Sequence, residues 1–578
     1  MRVLRGSLVL IVCGLALGVE AQTPDPLLRA MHDEIERSRK LTVPNLEAPY
    51  FIEYLMEQSE NFSVAASLGG LVSLRHDRFR IPEAIVRVGD YKFDNTNFAG
   101  GGGGGTRYDL GPWPLDDSYP VLRRYLWLAT DSAYKAAVET ISRKRAALQN
   151  LAQSSTLDDF GHAAPVQRVR DFQHLTIDEQ SWTARVRALS AVFADYPKIE
   201  DSRVDLESSA GGYYVVNSEG TEVREPENVT YLRVRAMTQA PDGTTLRDAV
   251  TFNTLDAGRM PGDAELNREV RKMADNLVAL AQAAKGEDYS GPVLFEGDAS
   301  PQLFAQLLGR NLALPRKPEG SRGGFNGSEL EGRLGSRILP ESFDVVDDPT
   351  QKEWRGRPLF GSYDVDIEGV AAKPVGVVEK GVLKGYLLTR QPVRGFSESN
   401  GHARLPGAYG TYAATIGNLF IASSETTPAG QLKQKLIEMI QARSLPYGVV
   451  VRRLDFPSSA SVDEARRQLM SAQGSAHPVS QPLLVYKVFA DGHEEMVRGW
   501  RFRGLSARSL KDIAVTGDDS AVFEYQENGA PFALLGVSSF SAEVCVVAPS
   551  ILIDDLELHP AEDEPPKLPV APAPEIAR

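Results

Sequence analysis

Two long stretches of this chain alternate apolar and polar residues with a period of two, and segments of helical period stand beside them. The first, FIEYLMEQSENFSVAASLGGLVSLRHDRFRIPEAIVRVGDYKF (residues 51–93), sends successive side chains to opposite faces of a sheet. Its Gly, Asn and His-Asp breaks predict an antiparallel meander. The second stretch, residues 201–254, predicts two hairpin-like units, one around Gly211-Gly212 and one around Asp242-Gly243. In DPLLRAMHDEIERSRK, Leu27, Leu28, Met31 and Ile35 recur at helical spacing, so an amphipathic helix spans 25–40. Further helices are predicted over 120–153, 176–194 and 263–284. Long helices mixed with antiparallel strands define an α+β domain that ends near Ser290.

The rest of the chain reads differently. GPVLFE (291–296) is a buried strand, and DASPQLFAQLLGRNL (298–312) is the helix after it, capped by Asp298 or Ser300 with Pro301 in its first turn. Strands then dominate: 361–370, 374–390, 446–456, 482–502, 521–526 and 549–558, with hairpin turns at Gly381 and Asp491-Gly492. QLKQKLIEMIQAR and SVDEARRQLMSA interrupt as helices. Cys545 sits in an apolar strand-like stretch, AEVCVVAPSILI, as a small buried hydrophobe. Six successive glycines, Gly100 to Gly105, predict a floppy surface loop; no Lys-Ser/Thr follows them, so a phosphate-binding loop is the weaker reading.

MRVLRGSLVLIVCGLALGVEAQT places Arg2 and Arg5 before an apolar run from Leu8 to Val19, with a small residue at Ala21. This is the pattern of a cleaved secretory signal over residues 1–21, so the mature protein is expected in the periplasm or outside the cell, without a stable membrane span. An uncleaved anchor is the alternative, but the run is short for the roughly 20 residues a span needs. Once Cys13 is removed, Cys545 is the one cysteine left and no intramolecular disulfide can form. The expected organisation is therefore 1–21 signal, 22–290 α+β domain, 291–559 β-rich domain and 560–578 a disordered Pro-rich tail. A formal net charge of −14 spread along 578 residues argues against a nucleic-acid partner.

Candidate chemistry is sparse. No two of the eight histidines stand at the spacing of a zinc-binding helix, so a compact local zinc site is absent from the sequence. His493-Glu494-Glu495 reads as a solvated strand end. Asp364, Asp366 and Glu368 alternate in YDVDIEG and would share one strand face, where they could bind a hard cation or simply meet solvent. No GxSxG elbow marks a nucleophilic serine.

The stretch from Ser362 to Glu425 carries D-x-E-G at Asp366 to Gly369, V-E-x-G-V-L-K-G-Y-L from Val378 to Leu387, the polar segment Ser399 to Arg404, and Asn418-Leu419. Together with Val345-Val346-Asp347-Asp348 before it and VYKVFADGHEEMVRGWRFRG after it, this segment resembles the TldD/PmbA family, the modulator-of-DNA-gyrase proteins. The resemblance implies an α+β N-terminal domain and a β-rich C-terminal domain, working in pairs that enclose a cavity where unfolded peptides are cut. One branch of the family carries H-E-x-x-x-H on the helix after the strand matching GPVLFE; the PmbA-like branch lacks it and serves as companion. Laid on that helix, QLFAQLLGRNL puts Ala305 and Arg310 at the histidine positions and Gln306 at the glutamate. None of the three can do the work of a zinc ligand or its general base.

Joined to the export expected from residues 1–21, the resemblance thus implies a metal-less subunit, with no cofactor, that forms a homodimer or a heterodimer with an H-E-x-x-x-H relative and binds or encloses extended peptide for proteolysis. His402, Arg404, Asp366 and Glu368 are the candidate substrate contacts, and no catalytic residue or metal ligand is expected. Two alternatives stand beside it. One is an active peptidase holding zinc through distant residues such as Asp366, Glu368 and His402, and the other is a non-enzymatic envelope module that binds peptide by β-addition.

Overall fold

The computed structural model describes residues 25–100, 106–108, 113–149, 156–321, 327–407, 409–460, 479–528 and 541–561. The expected signal, Gly101 to Gly105, the expected helix 461–472 and all but the first residues of the tail lie outside them.

The N-terminal part is built on one sheet. Its elements in chain order are α1 (Pro26–Ser38), β1 (Pro49–Ser67), β2 (Gly70–Val88), β3 (Thr106–Tyr108), α2 (Tyr119–Leu148), β4 (Gln167–Val169), α3 (Glu179–Ala191), β5 (Asp201–Asn217), β6 (Glu222–Gln239), β7 (Thr245–Thr254) and α4 (Asp263–Gln282). Strand order is β3-β2-β1-β5-β6-β4, with β7 also on β6. All pairs are antiparallel except β4 with β6. Even-numbered side chains of β1, such as Tyr54, Met56, Phe62 and Val64, pack under the four helices. The odd-numbered Leu55, with Ile85, Val215 and Val223, packs on the opposite face against Val365, Ala403 and Tyr412 of the C-terminal part. Both faces of this sheet are therefore covered.

Three expectations are corrected here. The meander of 51–93 is one hairpin of two 19-residue strands, and His76-Asp77 continues β2 opposite Phe62 and Asn61 instead of breaking it. The turn is Leu68-Gly69, where positive φ values of 48° and 80° give the twist a two-residue hairpin needs. Gly211-Gly212 is not a turn but lies inside β5: a Cβ at either would come within 2.0 Å of a carbonyl oxygen, of Gln58 and of Glu225 respectively. The chain reverses after Asn217, whose side chain accepts the N–H groups of Glu219 and Thr221. Asp242-Gly243 does form the β6–β7 turn, with Gly243 N–H donating to Ala240.

The C-terminal part contains two larger sheets and α5 (Ala299–Leu307) between them. One sheet runs, in order, through Val382–Leu383, Val375–Glu379, Phe343–Asp347, Asn418–Ser423, Ala542–Ala548 and Ala521–Glu527. The other runs through Trp500–Arg503, Ile551–Pro560, Tyr289–Phe295, Tyr447–Leu454, Pro482–Phe489, Glu494–Arg498 and Ala284–Lys285, with Ile513–Thr516 added on Ile551–Pro560. Val293 and Phe295 face α5 in the main core, while Leu294 faces α6 (Ala429–Ala442). A strand buried on both faces reads as an unbroken apolar run, which is why GPVLFE and YGVVV lack alternation. Helix α5 is buried along its whole length and tightens into a 3₁₀ turn, Gly309–Leu312, instead of continuing as α-helix. Cys545 is buried, as its apolar setting suggested. Among the described residues no helix is long and apolar enough to cross a membrane.

The close approach at Gly211 yields a test. Gly211→Val is expected to lower unfolding free energy by about 3 kcal/mol in urea titration, because backbone of β1 must move. Gly430→Ala, in α6 with nothing near its Cβ, should be neutral or stabilising by up to about 1 kcal/mol.

Candidate functional site

The stretch YDVDIEGV is a turn, not the strand its alternation predicted, and only Val365 makes a bridge, to Ala371. Asp366 and Glu368 are buried, at 1% and 3% exposure, so they form neither a solvent-facing row nor a shared strand face. Asp366 Oδ1 accepts the N–H groups of Glu368 (3.0 Å) and Val370 (2.8 Å), and Oδ2 accepts that of Ala403 (3.0 Å). Glu368 Oε2 accepts the N–H of Arg390 at 2.6 Å. Gly369 completes the turn at φ 71°, where a Cβ would meet Thr221 Cγ2 at 2.7 Å. Burial, and then the neighbouring Glu368 charge, hold Asp366 well above the usual carboxylate range.

His402 is fully buried. Its Nε2 lies 3.1 Å from Asp347 Oδ1, and its Nδ1 lies 3.0 Å from both Asn400 oxygens. Asp347 also accepts Gly417 N–H, and Asn400 bridges Leu388 N–H to Tyr386 O. Asn418 donates to Gln351 O at 2.9 Å and to Asp348 O at 3.3 Å. These motif residues bond to one another and to neighbouring backbone and so fix the loops between the sheets. Arg404 differs: it donates to Glu543 O (2.6 Å) and Oε2 (3.0 Å), and its guanidinium lies 4.2 Å over the Tyr363 ring.

Arg404 and Asp366 border a cavity of about 70 Å³ whose other wall is the odd face of the N-terminal sheet, including Glu57, Glu83 and Glu227. A larger cavity of about 350 Å³ adjoins it, with Glu207 and Glu543 on its walls. Burial, with the charge of Glu543, pushes Glu57 up to about 8. Burial also takes Glu83 to about 7, against the hydrogen bond from Tyr412. Glu227 stands well above the usual range through burial, then the charges of Glu543 and Glu57. This acidic face went unread in the sequence, although Glu57 and Glu83 fall in phase with Leu55 and Ile85.

The three motif positions lie elsewhere, Ala305 and Gln306 on α5 and Arg310 in the 3₁₀ turn behind it. Ala305 is fully buried in the main core. Gln306 Oε1 accepts Ser480 N–H at 2.8 Å and its Nε2 donates to Gln302 O at 3.1 Å, so its amide is spent on backbone. Arg310 Nε donates to Glu527 Oε2 at 3.3 Å, and its guanidinium lies 5.2 Å from the Phe456 ring. Gln306, Arg310 and Glu527 border a cavity of about 490 Å³ that the hairpin 403–414 closes on the far side. A methyl group, a committed amide and a guanidinium do not fit a zinc site. Nor are Asp366, Glu368 and His402 brought together, since each binds a different stretch of backbone or a different partner. Among the described residues, no three His, Cys, Asp or Glu side chains gather as metal ligands.

A layered α+β molecule of this kind has counterparts. Residues 288–461 match the family model for the PmbA/TldA metallopeptidase C-terminal domain. A Methanothermobacter thermautotrophicus protein named as a metalloprotease is 29% identical over 209 residues, which cover 35% of this chain and 41% of that protein. An Archaeoglobus fulgidus metalloprotease is 38% identical over 78 residues, 14% of this chain and 17% of its own length. The matched segments thus span less than half of either relative. Thermococcus kodakarensis TldE shares the fold over 92% of this chain and 99% of its own, with a TM-score of 0.53 at 13% identity. A Thermotoga maritima protein named as a candidate modulator of DNA gyrase shares it over 88% and 96%, with a TM-score of 0.52 at 14% identity. Over residues 288–461 the chain carries the C-terminal domain of the TldD/PmbA family, and the fold of these proteins extends over most of its length.

The acidic face sets a pH dependence. Carboxyls whose pKa is raised on folding bind protons more tightly in the native state, so they stabilise it below the ordinary value and lose that contribution as pH rises through the folded value. For Glu57, between 4.5 and about 8, melting temperature should fall as pH climbs. Glu57→Gln should raise the melting point at pH 8, on the order of 5 °C, and change it little at pH 5. A scanning calorimetry series over that range checks both.

Proposed function

We propose that this protein is an exported member of the family that binds extended peptides without metal chemistry of its own, paired with a second copy or with an H-E-x-x-x-H relative. The observation that carries the reading is the Arg310–Glu527 ion pair beside the committed Gln306 amide, at the place where the resemblance puts zinc ligands. A fixed cation there repels a divalent ion, and Glu527 is already neutralised. Water activation by zinc requires the opposite: neutral imidazoles, a free carboxylate and an open coordination position.

The 490 Å³ cavity supports peptide as the ligand. Leu307, Leu387 and Leu405 offer apolar wall, and Thr389 and Thr415 stand among the polar residues of the lining. The strand Tyr412–Ala414 borders it, pairing on one side with Ala403–Pro406 and, among the described residues, with no strand on the other. An extended peptide can add to such an edge through main-chain hydrogen bonds, which asks for little sequence specificity. Export rests on Arg2, Arg5 and the apolar run to Val19 ahead of Ala21.

The test is a metal measurement joined to a peptide assay. Protein recovered from the exported fraction should begin near Gln22, carry sub-stoichiometric zinc, bind an unfolded peptide by fluorescence anisotropy and leave it uncut with or without chelator. Stoichiometric zinc with chelator-sensitive cleavage would establish a peptidase instead.

A further inference from the structure

The outer edge of β2 has no strand partner along residues 70–82 among the described residues, because β3 pairs only with Glu83–Ile85. That edge is apolar at its hairpin end, where Leu71, Val72 and Leu74 are 48%, 54% and 47% exposed and Leu68 beside them 49%, and charged from Arg75 to Arg80. A bulge at Val72 and Pro82 blunt the two ends of this edge, but between them the free N–H and C=O groups of Ser73 to Phe79 can template pairing with another chain. Arg75 and Asp77 make no ion pair among the described residues, whereas His76 faces Glu179 and Arg78 faces Glu60 within the chain.

We propose that this edge pairs antiparallel with the same edge of a second copy, about a two-fold axis at His76 and perpendicular to the sheet. The proposal rests on the pairing part of the reading above and names its surface. A perpendicular axis keeps the faces of the two sheets aligned, so odd residues meet odd residues. Centred on His76, the register sets each Arg75 opposite the other copy's Asp77, giving two reciprocal ion pairs. Centring on Arg75 would set arginine on arginine, and centring on Asp77 would set carboxylate on carboxylate. The charge pattern therefore selects a self-complementary register, which an unrelated peptide would not share. The helix layers stay on one side, and the two seven-stranded sheets become one continuous sheet. Val72 and Leu74, exposed in one copy, lie beside the partner's strand.

The experiment uses the full chain. His76→Cys places a thiol next to its own symmetry mate, and Cys545 is buried, so a short bismaleimide should join two copies through position 76. Leu46→Cys, exposed elsewhere, should not crosslink. By light scattering across a dilution series, Arg75→Asp and Asp77→Arg should each weaken the dimer roughly tenfold, and the double exchange should recover it. A monomer at all concentrations would overturn the proposal together with self-pairing. A stable dimer that neither crosslinks at 76 nor responds to charge reversal would overturn this surface and leave pairing in place.

Discussion

Asp366 fixes the turn through which the two parts of this molecule meet. It accepts three backbone N–H groups, from its own turn and from Ala403, and that turn rests on the odd face of the N-terminal sheet. The neighbouring Gly369 meets Thr221 of the β5–β6 connection so closely that a side chain there would push the two parts apart. A sheet covered by helices on one face and by this turn on the other cannot slide without exposing both cores. The positions of the hairpin 403–414, and hence of the cavity it closes, follow from that contact.

The burial that makes the contact strong also makes it costly. The odd face carries Glu57, Glu83 and Glu227 into a space bordered by Arg404, a cation already paired with Glu543. Carboxyls in such a place stay protonated or destabilise the fold, because charge removed from water without a partner is expensive. Arg310 and Glu527 are handled in the opposite way, as a direct ion pair with an aromatic ring beneath the guanidinium. Removing either partner would strand the other, so this pair is as much a structural element of α5 and its surroundings as a trace of chemistry.

Periodicity made much of the fold legible. The helices at 26–38, 119–148 and 263–282 and the C-terminal strands at 447–454, 482–489, 494–498 and 521–527 stand where apolar spacing put them. Failures cluster where tertiary packing overrode a local signal. Gly211-Gly212 looks like a turn in sequence but serves the close approach of neighbouring strands. YDVDIEG alternates like a strand, yet its acids turn inward to bind backbone N–H groups that lie up to 37 residues away. His402 reads as a loop residue free to meet ligand, but its ring is closed in by Asp347 and Asn400. The acidic cavity was invisible because its walls come from strands far apart in the chain.

The segments that carry the family likeness and the residues that would carry metal chemistry do different physical work. D-x-E-G, Asn400-Gly401-His402 and Asn418 satisfy backbone groups and permit tight turns, tasks that any protein with these sheets must perform whether or not it hydrolyses anything. The positions on α5 have no such task in themselves: at 305 and 306 a small side chain and an amide serve packing and a hydrogen bond to Ser480, and at 310 a cation reaches Glu527. A likeness concentrated in the first set therefore reports the scaffold with confidence and is silent on catalysis. Chemistry in this fold has to be read from the side chains that face the cavity.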